Sequence, residues 1–192
     1  MSKILFDYTM AVILLILLGW IIAILLIASF LDTKEWGFYT QERIGKNGKI
    51  FKIFKIRTMM KQSDNQNPIT TILDDRITPL GKKIRKYKLD ELPQLLNILS
   101  GDMSFVGPRP DVKGYADELQ GDNRIILSVK PGITSLASLK YKDEEVLLSK
   151  VKNPKKYNDE VIWPDKIKMN KEYVLNWSFE KDMMILCKTL FS

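Results

Sequence analysis

The stretch MAVILLILLGWIIAILLIASFL, residues Met10 to Leu31, contains 22 residues and no charged side chain. At about 1.5 Å per residue, a helix of this length crosses a bilayer core of roughly 30 Å. The run is too long for a signal peptide, and no A-x-A cleavage site follows it. It therefore predicts a membrane-inserted helix in residues 1–33, in preference to a buried helix of a soluble protein, and a second domain in residues 34–192.

The charges that flank the apolar run indicate on which side of the membrane the second domain lies. Lys3 is the one cation before the run, whereas eight cations and three acidic residues follow it up to residue 61. By the positive-inside rule, the second domain is cytoplasmic. The side of the N-terminus stays open, so the helix either spans the membrane or re-enters on the same side, with Gly19 as a candidate bend.

Composition limits the chemistry that the second domain can perform. The chain has no histidine and one cysteine, Cys187, which excludes an intramolecular disulfide and a Cys/His zinc site. Carboxylates would instead bind a hard cation such as magnesium. The net charge of +7 predicts an anionic partner. A nucleic acid is an unfavoured choice, because the chain has no recognisable binding motif and carries the apolar segment.

Local patterns predict an α/β fold that is mostly helical with a small β-hairpin. Asn47-Gly48 separates two alternating runs within Gln41–Met59, which is typical of a hairpin. Loops are predicted over Lys61–Asp75 and Lys152–Pro164, and helices over Lys82–Tyr87, over Glu91–Leu99 and from Asp165 onward. The last helix, capped by Ser178, has an apolar face that packs on the domain or lies on the bilayer as an interfacial amphipathic helix; its members are Phe179, Met183, Leu186 and Leu190.

The stretch KLDELPQLLNILSGDMSFVGPRPD, residues 88–111, combines adjacent carboxylates with a rigidly held arginine. Asp90 stands where the N-cap of the Glu91–Leu99 helix is expected, so Asp90 and Glu91 can be read as a structural cap and a first-turn acid. Arg109, between two prolines, can instead clamp phosphate oxygens, because a guanidinium matches them bidentately. A carboxylate nucleophile beside such a clamp is suited to phosphoryl transfer.

Four sequence blocks give the chain a resemblance to a known family. They are QERIGKNGKIFKIFKIRTM, LGKKIRKYKLDELPQLLNILSGDMSFVGPRP, KPGIT and NKEYVLNWSFEKDMMILCKTL. Together they resemble the bacterial sugar transferases, the small monotopic phosphoglycosyl transferases. The resemblance covers nearly the whole chain, and LDELPQL followed by GDMSFVGPRP at this spacing is highly specific.

The resemblance implies transfer of a sugar 1-phosphate from a UDP-sugar to a polyprenyl phosphate, usually undecaprenyl phosphate, with release of UMP. It makes Asp90 the nucleophile that forms a covalent phosphosugar adduct, and Glu91 its partner, with both binding Mg²⁺. It makes Arg109 a phosphate-binding residue and Lys55 and Arg57 further candidates for that role. Arg85, one of the cations that surround the carboxylates in sequence, is another phosphate-binding candidate. The expected location is the cytoplasmic face of the bacterial inner membrane, at the start of a glycoconjugate pathway, with downstream glycosyltransferases as further partners.

The sequence departs from the family pattern at three places. Gly19-Trp20 stands where the family usually has the Ser-Pro that breaks its apolar helix into a re-entrant hairpin, and proline is the stronger helix breaker. Lys130 replaces the arginine of the usual RPGIT. Lys142 stands where the family has an arginine, in a segment that helps the family to hold the nucleotide-sugar and that has a different sequence in this chain. These two lysines are therefore nucleotide-sugar-binding candidates, and the identity of the sugar stays open.

Two alternatives to an active transferase remain. A membrane-anchored basic scaffold accounts for the charge and the anchor, but not for an Asp-Glu pair so close in sequence to a rigidly held arginine. An inactive transferase homologue that acts as a scaffold is the second alternative. The membrane-anchored scaffold predicts that a change of Asp90 to asparagine leaves the activity of the chain intact.

Overall fold

The computed structural model describes residues 3–61 and 74–191. The helices are α1 (Lys3–Thr33), α2 (Pro79–Lys86), α3 (Gln94–Leu99), α4 (Leu136–Lys140), α5 (Glu144–Ser149), α6 (Pro154–Tyr157), α7 (Trp163–Leu175) and α8 (Phe179–Leu190). The strands are β1 (Phe38–Ile44), β2 (Ile50–Ile56), β3 (Ser104–Val106) and β4 (Gly132–Thr134). Short 3₁₀ segments lie at Lys46–Gly48, Leu89–Glu91, Ala116–Glu118 and Gly121–Ser128, and a π-helical turn at Asn158–Ile162. The chain is mostly helical with small sheets, as the sequence predicted.

The predicted hairpin and the basic helix are both confirmed. Strands β1 and β2 pair in a two-stranded sheet, and the turn between them contains Asn47 and Gly48 at positive φ angles of 58° and 78°. Helix α2 begins at Pro79, and the Thr78 hydroxyl accepts a hydrogen bond from the Gly81 N–H at 2.8 Å. Residues 62–73, most of the loop predicted over Lys61–Asp75, lie outside the described residues.

Two predictions about local structure are wrong. The segment Lys152–Pro164 is helical rather than a loop, because the Asn153 side chain caps α6 and Pro154 occupies its first turn, where a proline costs no hydrogen bond. Asp90 is not an N-cap. The chain already turns in 3₁₀ form at Leu89–Glu91, and α3 then begins after Pro93 with no side-chain cap.

The chain divides into two compact units. The first unit comprises residues 1–42, 52–66 and 74–103, and its described core includes Ile53, Ile56, Ile84, Leu95 and Ile98. The second unit comprises residues 43–51, 67–73 and 104–192, and its core includes Ile44, Val106, Ile126, Ile162 and Ile185. The division passes through the β1–β2 hairpin, so the hairpin tip is grouped with the second unit.

Helix α1, in the first unit, is continuous through Gly19-Trp20 and is long and apolar enough to cross a membrane. Its buried residues are Asp7, Ala11, Ile22, Ser29 and Thr33. At about 100° per residue these positions fall within an arc of about 80°, so one narrow stripe of the helix is covered by protein. Large apolar side chains such as Ile16 and Trp20 are exposed elsewhere on the helix, as lipid-facing residues would be. The re-entrant geometry stays a prediction.

The segment after α1 folds back against the helix. Lys34 adopts a left-handed conformation at φ 56°, and its N–H donates to the Phe30 carbonyl at 2.9 Å. A Cβ on Gly37 would lie 2.2 Å from the Leu26 carbonyl oxygen, so only glycine permits this close approach. The Ser29 hydroxyl also donates to the Arg57 carbonyl at 2.6 Å, which fixes the end of β2 on α1.

In the second unit, β3 and β4 form a short parallel pair in which Ser104 aligns with Gly132 and Val106 with Thr134. A buried carboxylate joins α7 to α8. The Asp182 carboxylate accepts hydrogen bonds from the Tyr173 hydroxyl at 2.6 Å and from the Trp177 indole N–H at 3.0 Å. The predicted Ser178 cap of α8 is confirmed, since its side chain accepts from the Lys181 N–H.

Candidate functional site

The Asp90-Glu91 pair lies in the first unit, on a turn that directly follows α2. Tyr87 ends α2, and Lys88 adopts a left-handed conformation at φ 56°, which is uncommon for a residue other than glycine. The chain then changes direction into the 3₁₀ turn that contains both carboxylates. Asp90 and Glu91 are only 6% and 9% exposed. The turn therefore directs two acidic side chains inward, where burial is costly unless they are paired.

The start of α2 is held close to the end of β2. A Cβ on Gly81 would lie 2.1 Å from the Thr58 carbonyl oxygen, and the Thr78 N–H donates to that oxygen at 3.2 Å. Arg85, on the same helix, extends its Nη1 to within 3.4 Å of the Thr58 hydroxyl oxygen. The helix that carries Arg85 and leads into the acidic turn is therefore positioned by the residues just beyond β2.

Lys55 on β2 contacts both carboxylates. Its Nζ lies 3.2 Å from Glu91 Oε1 and 3.8 Å from Asp90 Oδ2, and the lysine side chain is 18% exposed. An ammonium shared by two adjacent carboxylates reduces their mutual repulsion in a region with little solvent. The sequence placed Lys55 on the phosphate side of the site, and the structure brings it directly to the acidic pair.

Asn97 on α3 fixes the register between the acidic turn and β2. Its side-chain oxygen accepts from the Phe54 N–H at 2.9 Å, and its side-chain nitrogen donates to the Lys52 carbonyl at 2.7 Å. Both bonds reach the strand that presents Lys55. Since Asn97 is fully buried and both its side-chain oxygen and its side-chain nitrogen bond to β2, the backbone of the strand that carries Lys55 is fixed against α3.

Arg57 has partners in the segment that follows α1. Its Nε donates to the Trp36 carbonyl at 2.9 Å, and its guanidinium carbon lies 5.4 Å from the centre of the Tyr39 ring. Its backbone N–H also donates to the Gly37 carbonyl at 2.7 Å. The structure thus places Arg57 at the junction between the apolar helix and β2, and its assignment to phosphate binding stays a prediction.

Arg109 lies in the second unit, on a loop that is held from both sides. On one side, the Gly107 N–H donates to the Thr134 carbonyl and the Gly132 N–H donates to the Pro108 carbonyl, at 3.0 and 2.9 Å. A Cβ on Gly132 would lie 2.1 Å from the Gly107 nitrogen, so the two glycines permit this contact. The loop that carries Arg109 is therefore fixed on the KPGIT segment.

On the other side, residues of the QERIG segment hold the same loop. The Arg43 Nη1 donates to the Pro110 carbonyl at 3.3 Å, and the Ile44 N–H donates to the Asp111 carbonyl at 2.9 Å. Three sequence blocks far apart in the chain thus meet at the Arg109 loop. Sequence reasoning missed this role of Arg43, because a side chain that binds a backbone carbonyl leaves no spacing signal.

Asp111 and Arg109 line a small, otherwise mostly apolar cavity in the second unit. Burial raises the pKa of the Asp111 carboxyl from 3.8 to about 6, although the cations Lys166, Arg43 and Arg109 act to lower it. The nearby Glu144 adds to the rise in this pKa. This carboxyl, on the loop that carries the predicted phosphate-binding arginine, therefore has a pKa well above its ordinary value.

The two nucleotide-sugar candidates also lie in the second unit. Lys130 is half-buried just before Pro131, and Lys142 is exposed on the turn between α4 and α5. Around that turn, the Asp165 carboxylate accepts from Lys140 Nζ at 2.6 Å and from the Tyr141 hydroxyl at 2.8 Å. Desolvation and the hydrogen bond to Asp165 raise the pKa of Tyr141 to about 12. No prediction from sequence had included this cluster.

The acidic turn supplies two candidate ligands for a magnesium ion. Among residues 3–61 and 74–191 there is no group of three or more His, Cys, Asp or Glu side chains that could hold a metal. Magnesium nevertheless needs only one or two carboxylates, because waters and substrate phosphates complete its shell. Asp90 and Glu91 supply two adjacent hard oxygen donors, so both remain candidate ligands.

The described residues thus combine a buried carboxylate pair, a lysine against it and a helix that is long and apolar enough to cross a membrane. Comparison with known proteins shows the family. Residues 1–192 match the family described as Bacterial sugar transferase, and the chain belongs to that family. It is accordingly an enzyme that transfers sugar-containing groups.

Several curated relatives are similar to the chain. The uncharacterized sugar transferase EpsL of Bacillus subtilis is 36% identical over 190 residues, which cover 98% of this chain and 85% of EpsL. The exopolysaccharide production protein ExoY of Sinorhizobium fredii is 34% identical, with 98% and 84% covered. The UDP-glucose:undecaprenyl-phosphate glucose-1-phosphate transferase of Escherichia coli is 31% identical over 96% of this chain, but only 38% of that longer enzyme is covered.

Proposed function

We propose that the protein transfers a sugar 1-phosphate from a UDP-sugar to undecaprenyl phosphate, with Asp90 as a covalent nucleophile, and so begins the assembly of an exopolysaccharide or a related glycan. The observation that carries this proposal is the buried Asp90-Glu91 turn with Lys55 against it. The name of the similar Escherichia coli enzyme, a UDP-glucose:undecaprenyl-phosphate glucose-1-phosphate transferase, supports the choice of donor and acceptor.

In the first step, an Asp90 carboxylate oxygen attacks the phosphorus that bears the sugar. The bond between this phosphorus and the oxygen that bridges to the uridine-bearing phosphate breaks, and UMP leaves with the bonding electron pair. The product is an acyl phosphate on Asp90 that carries the sugar. Lys55, 3.8 Å from Asp90 Oδ2, is placed to stabilise negative charge on the transferred phosphate as the carboxylate is consumed.

In the second step, a phosphate oxygen of undecaprenyl phosphate attacks the phosphorus of the adduct. The acyl phosphate bond breaks and the Asp90 carboxylate is regenerated, so no water, oxidant or reductant is consumed. Glu91, 3.2 Å from Lys55, keeps the ammonium close to the turn while the charge on Asp90 changes. Arg109 is proposed to bind a phosphate of a substrate through its guanidinium.

Asp90 and Glu91 would hold a bound Mg²⁺, which would neutralise diphosphate charge during transfer. The remaining residues that we propose to bind the substrates are Arg57, Arg85, Lys130 and Lys142.

We propose that residues 1–33 form a re-entrant membrane anchor for a catalytic domain in residues 34–192, on the cytoplasmic face of the inner membrane. Asp7 near one end of α1, and Ser29 and Thr33 near the other, are all at most 5% exposed. A helix that crossed the bilayer would carry its N-terminal end to the face opposite the one on which residues 34–192 begin. Cover at both ends therefore supports a helix that enters and leaves on one side.

This anchor can be tested with single cysteines. In a Cys187→Ser background, a Ser2→Cys variant would be labelled in inverted and in right-side-out membrane vesicles with an impermeant maleimide. The re-entrant anchor predicts labelling of residue 2 in inverted vesicles only, because the N-terminus then lies on the cytoplasmic side. Labelling in right-side-out vesicles only would instead establish a spanning helix.

The reaction is tested with the full chain in detergent, Mg²⁺, undecaprenyl phosphate and a panel of UDP-sugars. We expect UMP and a lipid diphosphate-sugar from at least one donor, with ping-pong kinetics, because UMP leaves before the acceptor reacts. Sequential kinetics would overturn the covalent step. The absence of product from every donor, with lipid binding intact, would favour an anchored scaffold or an inactive homologue.

A further inference from the structure

Gln94, the first residue of α3, has a buried side-chain amide without a hydrogen-bond partner among the described residues. The residue is 1% exposed, and neither its amide oxygen nor its amide nitrogen has a partner. A buried amide in this state costs free energy, so native proteins seldom retain one unless a water, an ion or a ligand satisfies it. This amide therefore indicates a binding partner that residues 3–61 and 74–191 do not supply.

The position of Gln94 indicates where that partner binds. Glu91, three residues earlier, contacts Lys55 on β2, and Asn97, three residues later, bonds to the backbone of β2. Residues three apart on a helical segment are neighbours on its surface. Gln94 consequently lies between these two side chains, on the side of the helical run that faces β2, next to the acidic turn.

Asn97 shows that a buried side-chain amide on the same helix as Gln94 can find its partners within the protein. Both residues carry amides, both lie on α3, and both are at most 1% exposed. The Asn97 amide uses its oxygen and its nitrogen in hydrogen bonds to β2. One buried amide thus fixes the structure, whereas the other, one turn closer to the carboxylates, is left with its polar atoms available.

We propose that the Gln94 side-chain oxygen is a third protein oxygen of a divalent-cation site, together with Asp90 and Glu91. An amide oxygen is a hard donor of the kind that magnesium and manganese accept, and it adds no further negative charge to the pair. The inference rests on the proposed function for the role of the cation. Its test does not depend on turnover.

The test measures Mn²⁺ binding to the full chain in detergent, without donor or acceptor, by the electron paramagnetic resonance signal of free Mn²⁺. Gln94→Met keeps the approximate volume and removes the amide, and the exposed Gln120 supplies a matched control as Gln120→Met. We expect roughly tenfold weaker Mn²⁺ binding for Gln94→Met, near-normal binding for Gln94→Glu and for the control, and loss of binding for the double variant Asp90→Asn/Glu91→Gln.

Thermal melting without metal supplies the second measurement. If the amide serves a cation, Gln94→Met melts at the same temperature as the wild type or higher, because an unsatisfied buried amide has been removed. Unchanged Mn²⁺ affinity in Gln94→Met, or no Mn²⁺ binding by the wild type, would overturn the proposal. Normal cation binding without an Asp90 adduct would overturn the proposed function alone.

Discussion

Two groups of buried acidic residues in this protein are stabilised in different ways. In the second unit, the Asp182 carboxylate accepts from the Tyr173 hydroxyl and the Trp177 indole, which are neutral donors on rigid rings. In the first unit, Asp90 and Glu91 share the flexible ammonium of Lys55. Neutral donors on rigid rings keep a carboxylate in one position, whereas a flexible lysine side chain can move toward a negative charge that forms on a bound phosphate. The comparison is consistent with a structural role for Asp182 and with the proposed reaction at Asp90.

Substitution of Asp90 should have the largest effect on the rate of phosphosugar transfer. Asp90→Asn should lower phosphosugar transfer by at least about 10³-fold, because an amide is not a nucleophile for phosphorus. The melting temperature of this variant should stay within about a few degrees of that of the wild type, because asparagine has nearly the same size as aspartate. The matched control is Asp102→Asn, an exposed aspartate of the same unit, which should keep full activity. Transfer at the wild-type rate by Asp90→Asn would remove the distinction between the two carboxylate groups.

Replacement of Lys55 should have the next largest effect. Lys55→Met removes the cation between the carboxylates, so we expect the rate of UMP release to fall about 10- to 100-fold. The same loss should shift the acid limb of the pH–rate profile to higher pH, because a neighbouring negative charge raises a carboxyl pKa. Lys55→Arg, which keeps the charge, should recover part of the rate. An unchanged pH profile in Lys55→Met would show that the lysine does not act on the carboxylates.

Asp182 should show the opposite pattern. Asp182→Asn weakens two charge-assisted hydrogen bonds, and we expect a loss of about 2 kcal/mol in the free energy of unfolding. Tyr173→Phe removes one of these bonds and should cost about 1 kcal/mol. The kcat/KM per folded molecule should stay unchanged in both variants. A fall in kcat/KM without a loss of stability would mean that Asp182 takes part in the reaction.

The smallest expected effect concerns Asp111 and depends on pH. Its pKa of about 6 in the folded protein exceeds the ordinary value of 3.8, so the folded state binds more protons between these values. Its favourable contribution to stability is therefore complete below about pH 4 and is lost as the pH rises through about 6. Asp111→Asn should be more stable than the wild type at pH 7, on the order of 2 kcal/mol, and this difference should shrink toward pH 4. A stability difference that does not vary with pH would contradict this assignment.

Sequence patterns predicted the hairpin, the basic helix and the cap of α8 because each depends on neighbours in the chain. Asn47-Gly48 and Ser178 act within a few residues of their own position. The helix at Pro154 was missed because a proline reads as a loop signal unless its place in the first turn of a helix is known. The prediction that Asp90 is an N-cap was wrong because Lys88 adopts a left-handed conformation, which is not expected for a lysine.

The candidate site was predictable only in part for the same reason. Asp90, Glu91 and Arg109 are evident as a motif, whereas the contact of Lys55 with the acidic pair depends on how β2 packs against the acidic turn and α3. Arg43 binds a backbone carbonyl, and Gln94 is notable for its buried amide. Neither property produces a recognisable pattern in the sequence. The identity of the sugar depends on residues around Lys142, where the sequence departs from the family pattern.

The central claim is that Asp90 carries the sugar phosphate during the reaction. Intact-protein mass spectrometry would be run on the wild type and Asp90→Asn with Mg²⁺ and each UDP-sugar, without undecaprenyl phosphate. The account predicts a mass gain of one phosphosugar in the wild type alone, with UMP released, and loss of the gain when undecaprenyl phosphate is added. A donor that supports transfer without any adduct on the wild type, or an adduct that persists in Asp90→Asn, would contradict it.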